Sequence, residues 1–410
     1  MTPERPSTEA FADYLLEVGS LLTAYGCPSH RLEEVMQTVA RTAGHEAETF
    51  AVPTALFISL PGGPGAAPVM RMARVKTWGV DLDRLTEVDE IFNRVASSRL
   101  SLVEARERLR SLQQRRPPYP RALHHAATAS VSGAVALVFG GGPAEVAAAA
   151  VTGALVGLLL LALGRFQGAG FLGDFAGGLG AALLAWLGQS LWPALRADVV
   201  IPSAVITLVP GLTLATGLVE LTRKNLVAGS ARLMQALASL LLLAIGIGLV
   251  SASVPALWPT GPDAVTPAGA AGLGAQALAL AIATVSYAVL VSVPPRYLPA
   301  ALFTSAAGWL VGLALGPSAA PHLGAFAASL AVSIASNAFA RALDRPAQLF
   351  QLPGLILLVP GSFGLRSAHA LAAGAYAGGA AKGVETALLD GSIVAGVLLA
   401  NVLLPSRKLL

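Results

Sequence analysis

Apolar residues recur at Phe11, Leu15, Val18, Leu22 and Tyr25, a spacing that gathers them on one face of a helix. Cys27-Pro28 ends that helix, and a second runs from Ser29, a residue able to cap it, to Gly44. The runs 48–60 and 68–75 are rich in β-formers and joined by PGGPGAAP, which predicts a hairpin. Two further helical patterns cover 81–98 and 101–112, the second opening with Ser101 and Glu104 in capping-box register. RRPPYPR at 115–121 then breaks all periodicity; its prolines forbid helix and its arginines favour the cytoplasmic face of a membrane.

Beyond residue 122 the polar face disappears. Ten apolar stretches follow, over 123–140, 144–164, 171–192, 198–219, 231–252, 270–292, 298–315, 322–340, 350–371 and 384–404. Each approaches the roughly 20 residues that cross the hydrocarbon core of a bilayer. The pattern also repeats. Residues 206–211 read ITLVPG and residues 356–361 read ILLVPG, and the same shift of 150 sets Ala231-Arg232 on Ala381-Lys382 and Gln235 on Glu385. The first Pro-Gly lies in the fourth stretch and the second in the ninth, so each half holds five. Five is odd, so the second half enters the bilayer from the opposite side, as in many secondary transporters. The expected fold is mainly α: a polytopic helical membrane protein with ten transmembrane helices as two inverted five-helix repeats, 122–255 and 256–410. A small α+β N-terminal cytoplasmic domain and Pro/Arg linker occupy 1–121.

Composition agrees. The 410 residues are 55% hydrophobic and 12% charged, half the charged content of about 25% usual in soluble domains. Residues 1–121 hold 15 Lys/Arg and 15 Asp/Glu, so the net charge of +4 belongs to the remainder, with 12 against 8. With a cytoplasmic start, the inner side carries Arg115, Arg116, Arg121, Arg165, Arg223, Lys224, Arg232, Arg296, Arg341, Arg345, Arg407 and Lys408, and the outer side only Arg196, Arg366 and Lys382. That bias obeys the positive-inside rule. No basic stripe with interleaved aromatics is present, so nucleic acid is not an expected partner. Glu4, Arg5, Glu9, Asp13 and Glu17 interrupt any signal-peptide core, which places the N-terminus in the cytoplasm and the chain, multi-pass, in the cytoplasmic (inner) membrane. The single cysteine, Cys27, allows no intrachain disulfide, and with His30 and His45 it forms neither a metal spacing nor a nucleophile motif. No cofactor or metal is implied, and the N-terminal domain reads as regulatory or as an assembly module.

The candidate chemistry centres on the two breaks. Proline removes an N–H and clashes with the preceding turn, and glycine then frees the backbone. Backbone groups released at mid-depth are costly in hydrocarbon unless something binds them. Pro210, Gly211, Pro360 and Gly361 therefore mark a pocket between half-helices, with Thr207, Thr213, Thr216 and Ser203 around the first break and Ser362 after the second. Hydroxyls suit a small zwitterion, since they carry no full charge into lipid. Asp174, Glu385 and Asp390 are acids within spans and are the proton-coupling candidates, Asp174 first. Asn337 is suited to a hydrogen bond between helices. GAGFLG at 168–173 opens a span with no strand before it and is no dinucleotide fingerprint, and FGGGP at 139–143 lacks the Lys-Ser/Thr of a phosphate loop.

These residues resemble a known family. RLEEVMQTVARTAG, VPTALFISL, LVFGGGPAEV, LVPGLTLATGLVELTRKNLVAGSARLMQAL and RPAQLFQLPGLILLVPGSFGLRSA look like the bacterial threonine/serine exporters, in order, along nearly the whole chain. The resemblance implies an N-terminal cytoplasmic domain, ten spans in two homologous halves, and export of threonine, serine or related solutes driven by the proton motive force. The expected partners are that small-molecule substrate, protons and membrane lipid; a homo-oligomer stays open. In some bacteria the halves are separate chains, and one such pair is associated with dicarboxylate export. A succinate-like dianion is therefore the first alternative, with Arg232 and Lys382 as its candidate cations. An intramembrane hydrolase using GSFG at 361–364 with His369 is the second, and a sensor signalling through 1–121 the third. The chain is not expected to be an enzyme.

Overall fold

A computed structural model describes residues 7–42, 44–62, 66–76, 79–97, 99–166, 172–253, 272–315, 320–359 and 361–405. The N-terminal domain comprises α1 (Thr8–Ala24), α2 (Ser29–Thr42), β1 (Glu48–Val52), β2 (Ala55–Leu60), β3 (Val69–Arg74), α3 (Leu82–Ala96) and α4 (Leu102–Gln114). The expected hairpin is a three-stranded antiparallel meander in the order β1-β2-β3. The run 48–60 folds back on itself at Pro53-Thr54, where proline cannot donate to a ladder and favours a turn. Alternate residues of β2, namely Leu56, Ile58 and Leu60, pack on α1 and share one core with Phe11, Leu15, Val18 and Leu22 of α1 and Leu85, Val88 and Phe92 of α3. Ser101 and Glu104 form the capping box of α4. Ser29 does not cap α2 but begins it, and its N–H is used elsewhere.

The described residues beyond 120 form helices: α5 (Arg121–Val138), α6 (Pro143–Leu163), α7 (Gly173–Leu191), α8 (Ala197–Ala204), α9 (Gly211–Thr222), α10 (Leu226–Ser253), α11 (Leu273–Leu290), α12 (Leu298–Leu315), α13 (Pro321–Leu343), α14 (Gln348–Leu358), α15 (Gly361–Ala372) and α16 (Tyr376–Leu403). Among the described residues six segments (α6, α10, α11, α12 with the turn before it, α13 and α16) are long and apolar enough to cross a membrane, and α14 with α15, bent by 41°, makes a seventh. Leu155, Leu158, Leu159 and Leu161 of α6 and Leu237, Leu241 and Leu249 of α10 point outward. A helix apolar on its outer face needs lipid there, so this is a multi-pass membrane protein. Inside, small residues let backbones touch. Gly178 lies against the Leu243 carbonyl and Gly246 against the Phe175 carbonyl, joining α7 to α10. Gly396 lies in the same way against the Phe326 carbonyl, joining α13 to α16. Asn337 Nδ2 donates to Asn401 Oδ1 at 3.0 Å and to Leu404 O at 2.9 Å, a polar tie between those two helices.

The series α5–α10 and α11–α16 pack alike. α6 and α5 flank α8 as α12 and α11 flank α14, and α10 packs on α7 and α9 as α16 packs on α13 and α15. Left-handed residues close corresponding helices: Lys224 and Gly374 follow α9 and α15, and Gly140 and Ser292 follow α5 and α11. Across the two series α5 meets α11, α10 meets α15 and α16 meets α9.

Candidate functional site

The fourth apolar stretch is two helices. Pro202 lies inside α8, which stops at Ala204, and Ser203 Oγ bonds back to Val199 O at 2.7 Å. Residues 205–209 leave the α-helix for turns, with Leu208 N and Val209 N both donating to Val205 O; Gly211 N donates to Val209 O at 2.8 Å, and α9 starts at Gly211. The second break is tighter. α14 ends at Leu358, Val359 is extended at φ −65° and ψ 127°, and Gly361 N donates to Val359 O at 2.8 Å where α15 begins. Pro360 lies outside the described residues.

The two breaks touch. A Cβ on Gly211 would sit 2.8 Å from Val359 Cγ1, and a Cβ on Gly361 would overlap Val209 Cγ1. Each glycine thus receives the valine that precedes the other break. Beside this crossing lies a cavity of about 440 Å³, within the ~300–1,000 Å³ range of small-molecule sites. Thr207, Pro210, Gly211 and Thr213 line it from the first break, and Val359 and Gly361 from the second. Asp174 of α7, Gln235 and Ser239 of α10 and Tyr287 of α11 complete its polar wall. Asp174 occupies the first turn of α7, where the helix N-terminus favours negative charge, and the Ser239 hydroxyl bonds to it. Among the described lining residues Asp174 is the one charged side chain. The wall therefore offers an acid for an ammonium group, and hydroxyls with half-helix N–H groups for a carboxylate.

Other predicted residues lie elsewhere. Thr216 lines a cavity of about 120 Å³ toward the N-terminal domain, and Ser362 lines one of about 340 Å³ against α5 and α11. Glu385 is exposed on α16. Asp390 is 2% exposed within α16, and its Oδ1 has no hydrogen-bond partner among the described residues. Neither acid lines the central cavity. Gln235, Ser239 and Tyr287 escaped the sequence reading. For Gln235 a signal existed, its repeat position opposite Glu385; the other two are ordinary residues of apolar helices until the fold turns them inward.

Among the described residues the N-terminal domain is bonded to the membrane part at three places. Glu220 of α9, fully buried, accepts the Ser29 N–H at 2.8 Å and pairs with Arg232 Nε at 3.0 Å. Beside it Arg223 pairs with Glu34 at 3.2 Å, and Asn225 Nδ2 donates to Glu33 at 3.1 Å. Leu82 N donates to Val291 O at 3.0 Å and the Tyr119 hydroxyl to Val293 O at 2.7 Å, after α11. After α13, Arg345 pairs with Glu90 at 2.8 Å, holding that carboxyl below the usual carboxylate range. Burial pushes the Cys27 thiol up and makes it inert. No group of three His, Cys, Asp or Glu side chains able to hold a metal ion occurs among the described residues.

Comparison with known families decides what this arrangement belongs to. Residues 13–254 match the family model described as "Putative threonine/serine exporter", and residues 276–403 match one described as "Threonine/Serine exporter, ThrE". The chain belongs to the threonine/serine exporter family. Its relatives include a "Probable threonine/serine exporter" of Mycobacterium tuberculosis, 25% identical over 78% of this chain and 62% of the relative. A Schizosaccharomyces pombe protein is 27% identical over 87% of this chain and 44% of its own length. The "Pheromone-regulated membrane protein 10" of Saccharomyces cerevisiae is 23% identical over 88% of this chain and 47% of its own. The chain spans about half the length of most of the curated relatives it matches. No solved structure matches. For this exporter-family member the alternative chemistries find little support. Arg232, a candidate cation for a dicarboxylate, is already taken by Glu220, and neither it nor Lys382 lines the central cavity. Ser362 and His369 lie on one helix seven residues apart, a rise of about 10 Å, too far for a nucleophile and its base.

Proposed function

We propose that the chain is a secondary exporter of small hydroxy amino acids, threonine and serine, bound in the cavity beside the two crossed breaks. The observation that carries this reading is the reciprocal contact of Gly211 with Val359 and of Gly361 with Val209 at a polar cavity, in a chain of this family. The substrate ammonium lies near Asp174, and its carboxylate near the Thr207 and Thr213 hydroxyls and the N-terminal ends of α9 and α15.

The ten apolar segments cross the inner membrane as two inverted halves with the N-terminal domain in the cytoplasm. Three features support that topology: the shared packing of the two helical series, the left-handed closures at equivalent places, and the side on which the domain sits. It touches segments that follow α9, α11 and α13, which an odd-span repeat brings to one face. Asp174 exchanges the coupling proton, and Glu385 and Asp390 are the secondary proton-coupling candidates. One proton entering down 100 mV supplies about 2.3 kcal/mol. Exchanged for one zwitterion, that sustains a gradient of about 50-fold. Rocking of one half against the other, pivoting where the breaks touch, alternates access.

The test is uptake into everted membrane vesicles of labelled threonine, serine and succinate, with and without a proton gradient. Gradient-dependent accumulation of threonine and serine is expected. Absence of gradient-dependent flux for all three would end the transport reading for these solutes.

A further inference from the structure

The 120 Å³ cavity that receives Thr216 lies where the N-terminal domain meets the membrane part. Pro28, His30 and Arg31 of the domain form one wall, Arg223 and Gln348 form others, and Leu352, Leu355, Ile393 and Val394 make it apolar at depth. Three of the residues that line this space each carry a buried side-chain atom without a hydrogen-bond partner among the described residues: His30 Nδ1, Arg223 Nε and Gln348 Oε1. Unsatisfied buried polar atoms are rare and costly, because each has given up its water without a replacement. Three side chains with unmet polar capacity around a single cavity point to a polar guest that reorients them on binding.

Their chemistry is specific. Arg223 Nε is a cationic donor, and its Nη1 is already committed to Glu34. His30 is 7% exposed, and burial together with Arg223, Arg31 and Arg232 pushes its pKa down to about 3, so the ring is neutral and carries a single N–H. Gln348 Oε1 is an acceptor. A cationic donor, a neutral donor and an acceptor match a carboxylate with an ammonium beside it. The volume equals about four liquid waters, the size class of an amino acid with a short side chain. Leu212 and Val359 line both this cavity and the central one, so the two are separated by the valine seated on Gly211.

We propose that this cavity is a second amino-acid site, a loading site built jointly by the N-terminal domain and the membrane part, in which Arg223 and His30 hold the carboxylate and Gln348 the ammonium of a small α-amino acid. It rests on the reading of the chain as an amino-acid exporter. The N-terminal domain on this view is part of the transport path: without α2 the loading site loses a wall.

The test is equilibrium binding of labelled L-threonine to the full chain in lipid nanodiscs, combined with export kinetics. The intact chain is expected to bind two threonines. His30→Phe, which fills the cavity, and Gln348→Leu, which removes the acceptor at nearly constant volume from another element, should each bind one and raise the export KM about tenfold with kcat little changed. Thr207→Val, in the central cavity, should leave one bound threonine that Gln348→Leu then abolishes. One bound threonine in the intact chain, with neither His30→Phe nor Gln348→Leu altering binding or KM, overturns the loading site while leaving the exporter reading intact. No threonine bound and no threonine exported overturns both.

Discussion

The contact between the breaks makes a prediction that can be isolated from everything else in the molecule. Gly211 starts α9 with an ordinary negative backbone angle, so alanine fits its conformation. What alanine lacks is space: the new methyl would lie 2.8 Å from Val359 Cγ1. That partner is stiff, because a β-branched side chain has little rotamer freedom. Overpacking of this kind costs about 1–3 kcal/mol, against at most about 1 kcal/mol gained by replacing glycine in a helix. A double-mutant cycle removes the second quantity. Gly211→Ala, Val359→Ala and the double variant are purified and melted, and their threonine flux is measured in vesicles. The double variant has lost Cγ1, so the overlap vanishes while the helix gain stays. A coupling of about 1–3 kcal/mol is expected in the melts, as the departure of the double variant's stability from the sum of the single effects, with flux recovering in the double variant. Gly361→Ala with Val209→Ala should behave alike. If Val359→Ala fails to relieve Gly211→Ala, so that the cycle shows no coupling, the breaks do not touch as described.

Further outcomes follow from named contacts. Asp174→Asn should abolish proton-driven accumulation and weaken threonine exchange without abolishing it, measured by counterflow; accumulation that still follows the proton gradient would refute the coupling role. Glu220→Ala leaves the partly buried Arg232 without its carboxylate and the Ser29 N–H without its acceptor, a loss of about 3 kcal/mol; protease cleavage of 115–121 should accelerate strongly. Cys27 is 1% exposed with its thiol pushed up, so maleimide should label it only after denaturation. The Glu90 carboxyl is held down by Arg345. A depressed carboxyl contributes stability that is present above its unfolded pKa and is lost as pH falls through the folded one. Domain docking should therefore weaken under acid below the usual carboxylate range, and Glu90→Gln should weaken docking at neutral pH and flatten that dependence.

Much of the scaffold is written in local pattern. The helix of Phe11 to Leu22, the Ser101 capping box and the positions of both Pro-Gly breaks are periodicity, side-chain chemistry and backbone geometry over a few residues. The turn at Pro53-Thr54 was equally local but hidden within a continuous β-rich run, so three strands looked like two. What the pattern could not carry was depth and facing. Asp174 reads as one turn inside a span, yet α7 begins only at Gly173, so the acid sits at the helix end. Glu385 and Gln235 are repeat partners, yet Gln235 turns to the cavity and Glu385 outward. No local pattern marks Glu220, whose partner on α2 arrives from 191 residues away.

That difference between partners bears on direction. The two helical series share their packing, and the crossing itself is nearly reciprocal, Val209 on Gly361 and Val359 on Gly211. A fully symmetric site would bind its guest equally from either side, and no ion gradient would have a preferred place to act. The polar wall is not symmetric. A shift of 150 turns Ser239 into Leu389, and Asp390 falls on Leu240, so the second half replaces the hydroxyl that serves Asp174 with an apolar side chain and puts its own acid one position away. Asp390 then faces packed helix, not cavity. On this reading the repeat supplies the hinge and its asymmetry supplies the coupling. Ser239→Leu, which makes the first half resemble the second, should leave the fold and the break contact intact, yet raise the gradient needed for export. An export rate that follows the proton gradient unchanged in Ser239→Leu would separate Asp174 from coupling and send the search to the buried acid on α16.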